Sequence, residues 1–266
     1  MNSPFYGWIV VACAFLVLFF TYGVQYSFGV FIPPMIDELG WRRASLGGVF
    51  SLYSLVYIGF SLLSGRLTDT LGPRRVIGLG GVLLGLGIMA TSQISAQWQL
   101  YLCYGLVAAL GMSTAYIPCN MTVVRWFHIR RGLALGIASC GASCGILVVP
   151  LLASFIIDQA DWRIGLFTLG AALFIAINVV ARFMVRGPEL LGLQPDGAAT
   201  PPSSGFAYVG SAGDDLAAWT LSEARATITF WMLLLAFTIA LLTVAVPFMH
   251  VPLFARDIGL SAMGGA

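Results

Sequence analysis

The chain has no lysine. All thirteen of its basic residues are arginine, set against eleven carboxylates and two histidines in 266 residues. Charged side chains make up only 9% of it, whereas soluble domains carry about 25%. With 59% hydrophobic residues and a mean hydropathy of +0.92, that scarcity excludes a soluble globular chain and marks an integral membrane protein. A net charge of +2 makes no case for nucleic acid. Arginine suits bidentate anion binding, but the plainer reading of its exclusive use is a codon or lineage bias.

Cysteine is sparse as well. Cys13, Cys103, Cys119, Cys140 and Cys144 all fall inside apolar runs and read as small core residues. Cys140 and Cys144 share a helix face, but no histidine or carboxylate stands beside them in sequence to complete a metal site. Neither a metal nor a cofactor is expected. The N-terminus lacks a basic flank, and its first apolar run is about 24 residues long, which makes it a spanning helix rather than a signal peptide.

What is present is a series of long apolar runs. Seven lie near 8–32, 45–64, 76–95, 99–123, 133–156, 163–185 and 228–249, each about 20 residues or more. Short links join the first six. Residues 187–226 change character, with Pro188, Pro195, Pro201, Pro202, Ser203, Ser204, several glycines, Asp214 and Asp215, and read as a polar linker. The expected domains are therefore 1–186, a six-helix bundle; 187–226, a cytoplasmic linker; and 227–266, the start of a second bundle.

Arginine placement in the links sets the orientation. Arg66, Arg74, Arg75, Arg125, Arg130, Arg131, Arg182, Arg186 and Arg225 share one side, and Arg42, Arg43, Arg163 and Arg256 the other. This predicts a multi-pass protein of the plasma (cytoplasmic) membrane with its N-terminus and linker in the cytoplasm.

One link stands out. After the second run comes Gly65-Arg-Leu-Thr-Asp69-Thr-Leu-Gly72-Pro-Arg74-Arg75, a short, charged, glycine-punctuated turn at the membrane surface. A second pattern begins at Val124, with Arg125-Trp126-Phe127, then Arg130-Arg131, then a helix of small residues. Along that helix Gly132, Gly136, Cys140 and Cys144 recur every four positions, as do Gly141 and Gly145, a spacing that lets helices pack closely in lipid. Sequence does not separate a sliding face from a static one.

The first pattern and its position resemble the loop between the second and third helices of the major facilitator superfamily of transporters. The second pattern, Tyr6-Gly7-Trp8, and the His250 to Ser261 segment resemble that superfamily's monocarboxylate-porter and oxalate–formate-antiporter branch. The resemblance implies an all-α fold of two inverted three-helix repeats plus a seventh helix. It also implies secondary transport of a small organic anion by alternating access, with a proton or counter-anion as coupling partner and the lipid bilayer as surroundings. Gly65, Asp69, Gly72, Arg74, Arg75, Arg125, Arg130 and Arg131 would gate, with Asp69 paired to Arg74 and Arg75. The usual twelve spans imply a missing C-terminal half, in cis or in trans.

Polar residues within spans are the binding candidates. Tyr22, Gln25 and Tyr26 share a face of the first span. Tyr116 and Asn120 are four apart in the fourth, and Ser139 and Ser143 four apart in the fifth. Tyr53 and Tyr57 are weaker candidates. The plain alternative is hydrogen bonding between helices. No Asp, Glu or Arg lies deep in the first six spans. Two rival functions stay open. One is a non-transporting membrane sensor or assembly partner. The other is an intramembrane serine hydrolase, from Gly141-Ala-Ser143-Cys-Gly145 with His250 as base. The leading expectation is not an enzyme.

Overall fold

The computed structural model describes residues 5–41, 43–196, 221–240 and 243. Among these there is no β-strand, and six helices are long and apolar enough to cross a membrane. They are α1 (Tyr6–Leu39), α2 (Arg43–Leu71), α3 (Pro73–Thr91), α4 (Gln97–Trp126), α5 (Arg131–Gln159) and α6 (Trp162–Ala181). A 3₁₀ turn follows at Pro188–Leu191. Two further helices are α7 (Leu221–Ala226), at the end of the expected linker, and α8 (Ile228–Ala240), which covers only part of the expected seventh span. The rest of that span, with His250, Arg256 and most of the linker, lies outside the described residues.

Helices end where the backbone changes hand. α1 runs through Pro33 and Pro34 and stops at Gly40, whose φ of 66° is the left-handed cap conformation. α2 stops at Gly72, with φ of 83°, and Pro73 then occupies the first position of α3, where its missing N–H is no loss. α4 winds through an i→i+5 segment at Tyr101–Ala108 and breaks briefly before Tyr116.

The closest packing joins α1 to α5 and α3 to α6. The α1–α5 contact explains one of the two small-residue rows. A methyl group at Gly141 would collide with the Phe15 carbonyl, and one at Gly145 with the Phe19 carbonyl. These glycines let two backbones touch. The other row is open. Nothing approaches the Cβ positions of Gly132 or Gly136, and Cys140 and Cys144 are exposed.

Residues 187–196 do not trail away as a linker. Asp196 forms a bridge with Phe127, and its carboxylate accepts from the backbone N–H of His128 and from that of Arg130 at 3.0 Å. It thereby caps the start of α5, a role the sequence reading did not assign it.

Candidate functional site

Tyrosines from three helices meet inside the bundle. Tyr22 and Tyr26 stand one turn apart on α1 with ring centroids 6.4 Å apart. Tyr116 of α4 meets Tyr22 edge-on at 6.2 Å, and Tyr57 of α2 presents its side chain to Tyr22. Behind them, Tyr104 stacks on Phe28 at 3.9 Å and on Tyr53 at 5.0 Å. Tyr53 is therefore core, whereas Tyr57 belongs with the cluster. Tyr116 is 43% exposed, so the cluster opens on one side.

Two amides flank it. Gln25 lies almost one turn beyond Tyr22 on α1, and Asn120 one turn beyond Tyr116 on α4. The side-chain oxygens Oε1 of Gln25 and Oδ1 of Asn120 are buried without a hydrogen-bond partner. Buried polar groups are ordinarily paired, so each is an acceptor awaiting a donor. α1 and α4 lie on either side of the Tyr22–Tyr116 contact, and helix rise sets the two amides about 10 Å apart along the bundle. Among the described residues, no acidic or basic side chain is buried in the bundle.

Ser139 and Ser143 are not brought to this cluster. Gly141 and Gly145 fix the level of α5 against Phe15 and Phe19, which leaves Ser143 beside Val17 and about 7 Å below Tyr22. Ser139 is lower still, and Ser143 is exposed. His128, before the start of α5, is about 22 Å along the helix from Ser143. Among the described residues no base reaches this serine, and His250 is outside them.

The gating candidates gather at the arginine-rich end. α2 continues as helix through Gly65 and Asp69, so only Gly72 is the turn. Asp69 does not pair with Arg74 or Arg75. Its Oδ1 accepts from Nη2 of Arg125 at 2.6 Å, and its carbonyl accepts from Nη2 of Arg186 at 2.6 Å. The Asp69 carboxylate is turned toward α4, while Arg74 and Arg75 follow the turn at Gly72 into the start of α3. One residue thus joins the ends of α2, α4 and the segment after α6. Arg130 gives its backbone N–H to Asp196 and keeps its side chain exposed, while Nε of Arg131 is buried and unpartnered.

The aromatic patterns meet at this end as well. Tyr6 and Trp8 pack on Trp126 and Phe127, respectively, at 5.3 and 5.0 Å. Trp126 Nε1 donates to the Val185 carbonyl at 3.0 Å, and the Tyr6 hydroxyl to that of Phe183 at 3.0 Å.

The opposite end has its own clamp, which the sequence reading missed. Glu38 accepts from Trp162 Nε1 and from Arg163 at 2.9 Å, and Arg163 also donates to the carbonyls of Ser92 and Ile94. A carboxylate after the first span and an arginine before the sixth, both in links of the same side, were the available signal.

A sequence profile of the Major Facilitator Superfamily matches residues 14–266. Monocarboxylate transporter 11 of Mus musculus is 32% identical over 166 residues, 62% of this chain and 37% of that protein. The MFS-type transporter pytF of Aspergillus terreus is 29% identical over 264 residues, 98% of this chain and 82% of that protein. Human Monocarboxylate transporter 11 is 28% identical over 261 residues, 98% of this chain and 52% of that protein. The chain thus spans about half the length of the human relative.

Proposed function

The chain belongs to the Major Facilitator Superfamily, and on that premise we propose that it carries a small organic anion, a monocarboxylate or an oxalate-like acid, across the membrane by alternating access. Its relatives are transporters by name, not enzymes. The observation that carries the substrate class is the tyrosine cluster with its two orphaned amide oxygens. The hydroxyls of Tyr22, Tyr26 and Tyr116, with the amide N–H of Gln25 or that of Asn120, can donate to a carboxyl group. The orphaned oxygen of that amide needs a donor in return, and a carboxylate has none. Its protonated form does.

Charge points the same way. A bare charge at the bilayer centre costs about 2.5–3.5 kcal/mol on insertion scales, and the described spans hold no deep cation to offset it. The acid therefore travels with its proton, in preference to exchange for a counter-anion. A second helical bundle would complete the open side of the cluster and supply the body against which this one rocks. At the arginine-rich end, the Asp69–Arg125 pair would hold one of the alternating states.

The test is organic-acid uptake into proteoliposomes, by this chain alone and by a longer chain that adds a second bundle. Only the longer chain is expected to give saturable uptake, accelerated by an inward proton gradient. In it, Asn120→Leu should lower kcat/KM about tenfold, the scale of one lost hydrogen bond to a polar substrate. Uptake indifferent to Asn120→Leu and to protons would remove the binding role. Saturable uptake by the chain alone would remove the need for a second bundle.

A further inference from the structure

At the arginine-rich end, the turn between α2 and α3 and the chain leaving α6 line an open cavity of about 720 Å³. Four guanidinium side chains line it: Arg74 and Arg75 from the first turn of α3, and Arg182 and Arg186 from the end of α6. Among the described residues no carboxylate lines it. Asp69, the acid nearest in sequence to Arg74, is engaged by Arg125, and Glu189 is exposed. Arg186 spends one nitrogen on the Asp69 carbonyl, while Arg74, Arg75 and Arg182 have no ion-pair partner among the described residues. Arg74, Arg75 and Arg182 are exposed and Arg186 half-buried, so an anion entering the recess from solvent would meet the field of all four.

The backbone adds to the same field. Gly72 caps α3 without a side-chain hydrogen bond, and Pro73 has no N–H. The first intrahelical bond of α3 is from Val76 to the Gly72 carbonyl at 3.3 Å. The N–H groups of Arg74 and Arg75 precede it and are left for an outside acceptor, at the positive end of a 19-residue helix.

The surroundings say what kind of anion. Leu71 and Leu190 share the lining. Ile175 and Val179 on α6 and Phe183 just past its end are exposed at four-residue intervals, and Leu79 is exposed on α3. This outward apolar stripe ends beside the arginines, as an acyl chain ends at its headgroup. We propose that the cavity binds a phosphate group, supplied by the headgroup of an anionic phospholipid held at the membrane surface and not transported. The inference is independent of the transported substrate.

The experiment is native mass spectrometry of the purified chain in mixed micelles of phosphatidylglycerol and phosphatidylcholine. The expected result is retained phosphatidylglycerol in preference to phosphatidylcholine. Arg74→Gln and Arg182→Gln should each lower that preference about tenfold, as loss of a charge-assisted contact does. Arg66→Gln, at the same membrane end but outside the cavity, should change it less than about twofold, within the spread of surface substitutions. Circular dichroism of each variant checks that it is folded. A second arm measures thermal unfolding with inorganic phosphate against chloride at equal ionic strength. Stabilisation by phosphate that the two cavity variants abolish, without any lipid preference, would support the phosphate site and make its ligand soluble. An equal drop in Arg66→Gln, or no lipid preference and no phosphate effect, would overturn the proposal.

Discussion

Asp69 is the residue on which the arginine-rich end depends, because its two kinds of oxygen serve two partners. The carboxylate takes Arg125 and the carbonyl takes Arg186. Asp69→Asn keeps the carbonyl contact and removes the charge from the ion pair. The Asp69 side chain is 50% exposed and that of Arg125 27%, so water screens the pair and the loss of stability should stay under about 1 kcal/mol. A pair made in only one of two alternating states would still shift their balance by about 1–3 kcal/mol. In a longer chain that transports, Asp69→Asn should therefore depress uptake several-fold at nearly unchanged membrane abundance, compared by uptake per immunoblotted protein. Normal flux at normal abundance would remove Asp69 from gating. The sequence exposed this aspartate because charge is so scarce in the chain. It hid the partner, because Arg125 is 56 residues away and only the packing of α2 beside α4 brings the two together. Glu38 and Arg163 were hidden for the same reason, at a separation of 125 residues.

Among the elements, α5 shows how one helix can carry two faces of similar composition and different purpose. Gly141 and Gly145 lie against the α1 backbone, whereas the Cβ positions of Gly132 and Gly136 meet nothing. Gly145→Leu should cost the isolated chain about 1–3 kcal/mol, the usual penalty of overpacking, read as a lower thermal midpoint in detergent. Gly136→Leu makes the same chemical change on the open face and should leave that midpoint nearly unmoved. Equal losses would mean that the two faces do not differ. The four-residue spacing was legible in the sequence for both rows; which row was filled was not, since spacing says that a face is smooth and not what lies on it. Helix ends were also misjudged. Hydropathy placed the second span at 45–64, but the helix runs to Leu71. Apolar character marks the part of a helix that lipid touches, while backbone hydrogen bonding carries the helix on into polar residues until a glycine can turn it.

For the molecule as a whole, the described arginines with a contact or a shared cavity fall at one or other of its two ends. Arg125 and Arg186 meet Asp69 at one end, and Arg74, Arg75 and Arg182 share a cavity there, while Arg163 closes the clamp with Glu38 at the other. If the richer end is cytoplasmic, Ser203→Cys in a background without native cysteines should resist an impermeant thiol reagent in intact cells. Ala96→Cys, in the link after α3, should react. The reverse pattern would invert the protein. The helices also differ widely in reach. α1, with 34 residues, is about 51 Å long, and α3, with 19, about 28 Å. A bilayer's hydrocarbon core is about 30 Å thick. α1 can tilt or protrude to suit any membrane. α3 has no such reserve, because the turn at Gly72 fixes one end, and at the other Arg163 grips the carbonyls of Ser92 and Ile94 just beyond its last turn. The shortest spanning helix is thus tied at both ends, so thicker lipid would pull on α3, and through it on the Asp69 junction and the Glu38 clamp together.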